Sequence, residues 1–268
     1  MTFANFDLQG KLALVTGSSR GIGLATAKGL AAMGAEVVVH GRTAAATDNA
    51  MAIIRAAQPQ ARLRAINADL ADAAGCAALI EQLPRVDILV NNLGVYDPKP
   101  FFEIEDADWQ AMMDINVMSG VRLTRHYLKA MLDAQGWGRV VFISSESGVV
   151  IPKEMVHYGF SKSAQLVIAR GAAETTRGTQ VTVNSVLPGP TWVDGQQVKL
   201  EARAAQQNTT VDDLKQRMFT ERRPTSLLQR YATAEEVANM VCYVCSPAAS
   251  ATNGAALRVD GGVVGNPF

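Results

Sequence analysis

The segment Tyr158-Gly159-Phe160-Ser161-Lys162 places a phenol and an ammonium four positions apart, on one face of a helix. A free tyrosine loses its proton near pH ~10, but an adjacent cation favours the phenolate, so the pair reads as one acid–base unit. Ser145, in Ser144-Ser145-Glu146-Ser147-Gly148, puts a hydroxyl thirteen residues earlier, at the end of an apolar run. A hydroxyl there also suits an ordinary turn cap. Asn116 lies in a long helical pattern, where an amide has below-average propensity. Asn91-Asn92-Leu93-Gly94 and Pro188-Gly189-Pro190-Thr191 each close a β-branched run. Proton exchange with an oxygen, assisted by hydroxyl and amide groups, is the chemistry these types support.

A second group suits a phosphate. Gly17, Ser19, Arg20, Gly21, Ile22 and Gly23 follow the first apolar run and lead straight into the helical spacing of Leu24, Ala27, Leu30 and Ala31. Glycines let a backbone approach a pyrophosphate, and the helix start offers unpaired N–H groups. A plain strand-to-helix turn would share the glycines; strand before and helix after favour the dinucleotide. The second run ends His40-Gly41-Arg42, with no acid for a ribose 2′-hydroxyl. Arg42 and Arg20 instead suit a 2′-phosphate, which favours NADP(H) over NAD(H), unless both are simply solvated. Asp69 is placed to accept from an adenine amino group, with Leu70 beside it, although a turn cap would look the same.

These groups must be held by strands and helices. Expected strands are Leu12–Thr16, Glu36–His40, Arg62–Asn67, Asp87–Asn91, Arg139–Ser144, Gln180–Val186 and Ala255–Val259; Gly21–Met33, Ala107–Ala134 and Val156–Thr176 are expected crossover helices. The rhythm implies one α/β domain with a doubly wound, Rossmann-like parallel sheet of seven strands. Residues 191–229 interrupt it as an insertion at a carboxyl strand end, a candidate substrate lid with one short helix carrying Val211, Leu214 and Met218. The 25 Lys+Arg balance 25 Asp+Glu, which excludes a general nucleic-acid clamp. The first residues lack a secretion signal and no apolar run suits a bilayer, so a cytoplasmic protein without membrane contact is expected. Cys242 and Cys245 form a C-x-x-C inside a helical pattern without histidine or a second pair; helix packing explains it better than redox or metal chemistry, and no metal site is expected.

From about Leu8 to Gly262 the chain resembles the short-chain dehydrogenase/reductase family, through T-G-x-x-x-G-I-G at Thr16–Gly23, N-N-x-G at Asn91–Gly94, Asn116, Ser145, Y-x-x-x-K at Tyr158, Pro188-Gly189 and Asp260-Gly261-Gly262. The resemblance implies an oxidoreductase that interconverts a carbonyl and a secondary alcohol by hydride transfer. Tyr158 would exchange the proton, Lys162 would lower its pKa and hold the nicotinamide ribose, Ser145 would bind the substrate oxygen, and Asn116 would hold a relay water. Asn91, Gly94, Pro188, Gly189 and Thr191 would line the cofactor. Leu93 and Gly159-Phe160 depart from the family's usual smaller residues. Tyr96, Phe102, Ile151, Met155, Trp192, Phe219, Glu146 and Lys153 are candidate walls for a small-molecule substrate. A basic stripe of Arg122, Arg125 and Lys129 keeps open a 3-oxoacyl-[acyl-carrier-protein] reductase, although a solvated or subunit-facing surface explains it as well. A non-catalytic NADP(H) sensor is the rival from another class. The resemblance implies a homotetramer or homodimer.

Overall fold

The computed structural model describes residues 5–267. β-branched runs form β1 (Leu12–Val15), β2 (Glu36–Gly41), β3 (Leu63–Asn67), β4 (Ile88–Asn91), β5 (Trp137–Ile143) and β6 (Gln180–Pro188). Two-residue strands β7 (Thr191–Trp192) and β8 (Ala232–Thr233) precede β9 (Ala256–Val259). Seven strands make one sheet in the order β3-β2-β1-β4-β5-β6-β9, all pairs parallel. Order reverses between β1 and β4, and a crevice opens there at the carboxyl ends of the strands. The expected doubly wound sheet is therefore present, with boundaries displaced by a residue or two. β7 and β8, too short to carry a sequence signal, pair with each other and close the root of the 191–229 insertion.

Helices α1 (Gly21–Ala32), α2 (Ala44–Ala57), α3 (Ala73–Gln82), α4 (Asp106–Met112), α5 (Ser119–Asp133) and α6 (Val156–Glu174) are the crossovers. α7 (Gln196–Gln207), α8 (Val211–Arg217) and α9 (Ala234–Cys245) follow. One apolar layer packs α1, α2 and α9 on the sheet through Leu30, Ile54 and Val241; the other packs α3, α5 and α6 through Leu79, Leu123 and Ala169. Cys242 and Cys245 are buried, free thiols of α9, and burial pushes Cys242 up to about 12, as packing rather than redox residues require.

Two expectations need correction. Ala107–Ala134 is helical throughout, as expected, but not α-helical throughout: a π-helical turn, Met113–Met118, stands between α4 and α5 without a break in the run. Its apolar spacing continues through the turn, so periodicity gave no warning. The short helix expected at Val211 and Leu214 is α8, but Met218 opens a second π-helical turn, Met218–Arg222, and the insertion also holds α7, which the sequence reading did not place. Its polar surface hides α7, whose only buried residue is Ala204.

Candidate active site

β1 delivers the glycine loop. Gly17 and Gly21 sit at φ +63 and +58, where a side chain would strain the backbone, and a Cβ at Gly23 would lie 2.5 Å from the carbonyl oxygen of Gly17. The loop is braced from two neighbours. Asn92 donates through Nδ2 to the carbonyls of Thr16 (2.8 Å) and Gly17 (3.1 Å). His40, buried at the end of β2, accepts from the Gly17 amide through Nδ1 (3.0 Å), while Nε2 donates to the carbonyl of Ala68 (3.1 Å). Burial lowers the His40 pKa, which suits this neutral tautomer. Neither brace was assigned from sequence; the unused second asparagine of N-N-x-G was the available signal.

At the mouth of the loop, the Gly21 amide, first of α1, donates to Oδ2 of Asp194 (3.2 Å). A carboxylate thus already occupies the electropositive helix start. Arg20 and Arg42 are exposed at the same edge, and neither forms an ion pair among the described residues. Asp69 makes the turn bond to the Ala71 amide (3.1 Å). Leu70 is 1% exposed within the core, so its side chain cannot line a crevice; only its backbone is available there. Asn91 donates to Thr124 Oγ1 (2.9 Å) and braces β4 against α5. Ser19 lies in the loop after β1 and Ile22 in the first turn of α1, while Pro188 ends β6, Gly189 follows it and Thr191 opens β7, where it donates to the Gly189 carbonyl (2.9 Å).

The residues expected to handle a proton converge from three elements. α6 presents Tyr158 and Lys162. Lys162, 4% exposed, donates to the carbonyl of Ile143 (2.8 Å) and to Gln165 Oε1 (3.2 Å), and burial pulls its pKa down to about 7. A Cβ on Gly94 would stand 3.4 Å from its Nζ, so the bare glycine keeps that approach open. Asn116 lies in the π-helical turn, its carboxamide accepting from Val95 N (2.8 Å) and donating to Val95 O (2.9 Å) and Ser161 Oγ (3.0 Å). π-turns recur at functional sites because the extra residue redirects side chains. Ser145, closing β5, caps the turn Glu146–Gly148 by accepting from the Ser147 amide (3.1 Å) and donates to Glu146 Oε2 (2.5 Å).

Burial, the dominant influence, drives the Tyr158 phenol upward, Ser145 opposes that rise, and Glu146 adds to it. In this site burial opposes the expected acidified phenol. The Lys162 ammonium sits 5.7 Å from the Tyr158 ring centroid. Lys162 is itself desolvated, and its charged form is disfavoured.

The expected walls divide. Tyr96 meets Tyr158 edge-on at 6.2 Å and is capped by Lys199 of α7. Trp192 and Phe219 both pack against Tyr231 (5.4 and 5.2 Å), holding the insertion together. Ile151 reaches the α6 backbone at Gly159, and Phe102 is 98% exposed, so neither is an enclosed wall. Glu146, 4% exposed, pairs with Arg223 at 2.8 Å, a cation that the sequence reading did not select. The basic stripe is largely neutralised: Arg122 faces Asp114 (3.8 Å) and Lys129 pairs with Asp133 (2.7 Å).

The short chain dehydrogenase family model matches residues 11–204. The uncharacterized oxidoreductase YvaG of Bacillus subtilis (strain 168) is 44% identical over 262 residues, covering 98% of this chain and 99% of that protein. The 3-oxoacyl-[acyl-carrier-protein] reductase FabG of Aquifex aeolicus (strain VF5) is 32% identical over 260 residues, 96% of this chain and 98% of that protein. Among solved structures, L-sorbose reductase from Gluconobacter frateurii, complexed with NADPH and L-sorbose, superposes with a TM-score of 0.90 at 28% identity, covering 98% of this chain and 99% of that one. A glycine loop after β1, a tyrosine and lysine on α6 and a serine just past β5, with a match along nearly the whole chain, leave one conclusion: the chain belongs to the short-chain dehydrogenase/reductase family.

Proposed function

We propose that the chain is an NADP(H)-dependent oxidoreductase that interconverts a carbonyl and a secondary alcohol, with Tyr158 as general acid and base. The observation that carries the reading is the convergence of Tyr158, Ser145 and Lys162 beside a glycine cradle that fits a dinucleotide. The fit is tested by the cradle itself: bare glycines at positive φ leave room for a pyrophosphate, and the Gly21 amide already takes an anion, Asp194 Oδ2. The dinucleotide, when bound, supplies or accepts the hydride. Arg20 and Arg42 would hold a 2′-phosphate, the loop amides the pyrophosphate, and Lys162 a ribose hydroxyl past Gly94.

In reduction, negative charge develops on the substrate oxygen, and Ser145 and Tyr158 supply donors there. A phenol held in its neutral form by burial is suited to give its proton to that oxygen. Asn116, fixed to Val95 and Ser161, orders the polar path behind Tyr158 along which the proton is replaced. The 191–229 segment would act as a lid over this site. A small carbonyl compound fits the site better than an acyl-carrier substrate, since two of the three cations of the basic stripe that would meet the carrier, Arg122 and Lys129, already face acidic partners.

The test of cofactor choice is Arg42→Ala. It should raise the Kd for NADPH by about tenfold or more, as expected for a lost charge-assisted phosphate contact, and leave NADH within about twofold. Equal losses for both would remove the 2′-phosphate role.

A further inference from the structure

Arg223 follows the insertion's π-helical turn and is held there from both sides. Its amide donates to the Met218 carbonyl (2.8 Å), and its own carbonyl accepts from the Ser226 amide (3.1 Å). Just beyond, the Leu227 and Leu228 amides donate to the carbonyl of Gly261 (2.8 and 2.9 Å), pinning the segment to the loop after β9. From this anchor the guanidinium reaches 77 residues back in sequence, and Nε donates to Glu146 Oε1 at 2.8 Å. The two side chains are 12% and 5% exposed. Among the ion pairs of the described residues no other is as buried on both sides, and this one lies next to Ser145.

Glu146 Oε2 accepts from Ser145 Oγ (2.5 Å), the Ser147 amide (2.8 Å) and Ser147 Oγ (3.2 Å). A serine hydroxyl has a single proton. While Glu146 holds it, that proton is not available to a substrate oxygen. A carboxylate whose charge is shared with a guanidinium is a weaker acceptor than one left alone in a buried site, where an unpaired charge also opposes negative charge developing nearby.

We propose that Arg223 is a positioning residue that docks the insertion on Glu146 and, by sharing the charge of that carboxylate, weakens its hold on the Ser145 proton, so that a substrate oxygen can compete for it. With the insertion displaced, the unshared carboxylate would keep that proton more tightly and Ser145 would be a poorer donor. This rests on the carbonyl–alcohol reading above, but its first test does not.

In hydrogen exchange of the ligand-free protein, Arg223→Ala should speed exchange across residues 211–223 by about tenfold, whereas Arg217→Ala, on the same insertion, should leave it unchanged. Wild-type exchange in Arg223→Ala would overturn the docking. The second test is NADPH-dependent reduction of L-sorbose, 3-hydroxybutan-2-one and the acetoacetyl thioester of N-acetylcysteamine. Arg223→Ala should lower kcat about tenfold or more, with KM for NADPH unchanged. The double variant Glu146→Gln/Arg223→Ala should regain about tenfold over Arg223→Ala, because the competing carboxylate is gone. A double variant no better than the single one would overturn the serine role. A wild type that reduces none of the three compounds would count against the oxidoreductase reading instead, and the exchange result would still decide whether Arg223 docks the insertion.

Discussion

Burying Lys162 sets its proposed catalytic use against the stability of the fold. Its pKa of about 7 in the native protein lies well below the ~10.4 of an unfolded lysine. Above about pH 10.4 both states hold a neutral amine and nothing is lost. As pH falls from there toward 7, the unfolded chain binds a proton that the native one resists, so native stability declines across that window and the penalty is complete below it. Lys162→Met should therefore raise the Tm of the ligand-free protein at pH 7, with a gain that fades as pH approaches about 10.4, while abolishing turnover. A lower Tm at pH 7, measured by calorimetry, would mean that the bonds to Ile143 and Gln165 outweigh the desolvation. The tyrosine–lysine spacing was legible because a helix dictates it. The direction of the phenol's shift was not, because its burial, and the nearness of Glu146 and Tyr96, are tertiary properties.

At the scale of elements, the start of α1 receives two claims. Asp194, at the root of the insertion, occupies the Gly21 amide that the proposed reading assigns to a phosphate. A pyrophosphate arriving there must displace or repel this carboxylate. Asp194→Asn should tighten NADPH by about threefold, the order expected for one carboxylate near a helix start. Isothermal calorimetry that finds weaker binding would instead make Asp194 part of the holding apparatus. Strands were readable because each is a short β-branched run bounded by turn residues. The π-helical turn carrying Asn116 was not, since apolar residues (Met112, Met113, Ile115, Val117) run on through it and the stretch reads as one helix. Contacts such as Gly21–Asp194 and Glu146–Arg223 join positions 173 and 77 residues apart, and no local pattern announces them.

For the molecule as a whole, the sheet order does the positioning. Parallel strands bring the ends of β1, β4, β5 and β6 to one edge, so four loops distant in sequence meet at a single crevice. Close packing behind it keeps that edge in register: a Cβ on Gly29 of α1 would lie 2.5 Å from Cys242 Sγ of α9, so the two helices touch only because that glycine is bare. No helix among the described residues is long and apolar enough to cross a membrane. In the proposed function this edge binds the dinucleotide and moves a proton through separable groups. The decisive variant is Tyr158→Phe, with NADPH binding and NADPH-dependent carbonyl reduction measured on the same preparation. NADPH affinity should stay within a few-fold while kcat falls by about 10²–10⁴, the range for loss of a general acid. Retained turnover in Tyr158→Phe, or a wild type that binds NADPH and reduces no carbonyl compound, would contradict it; the latter outcome would point to a nucleotide sensor.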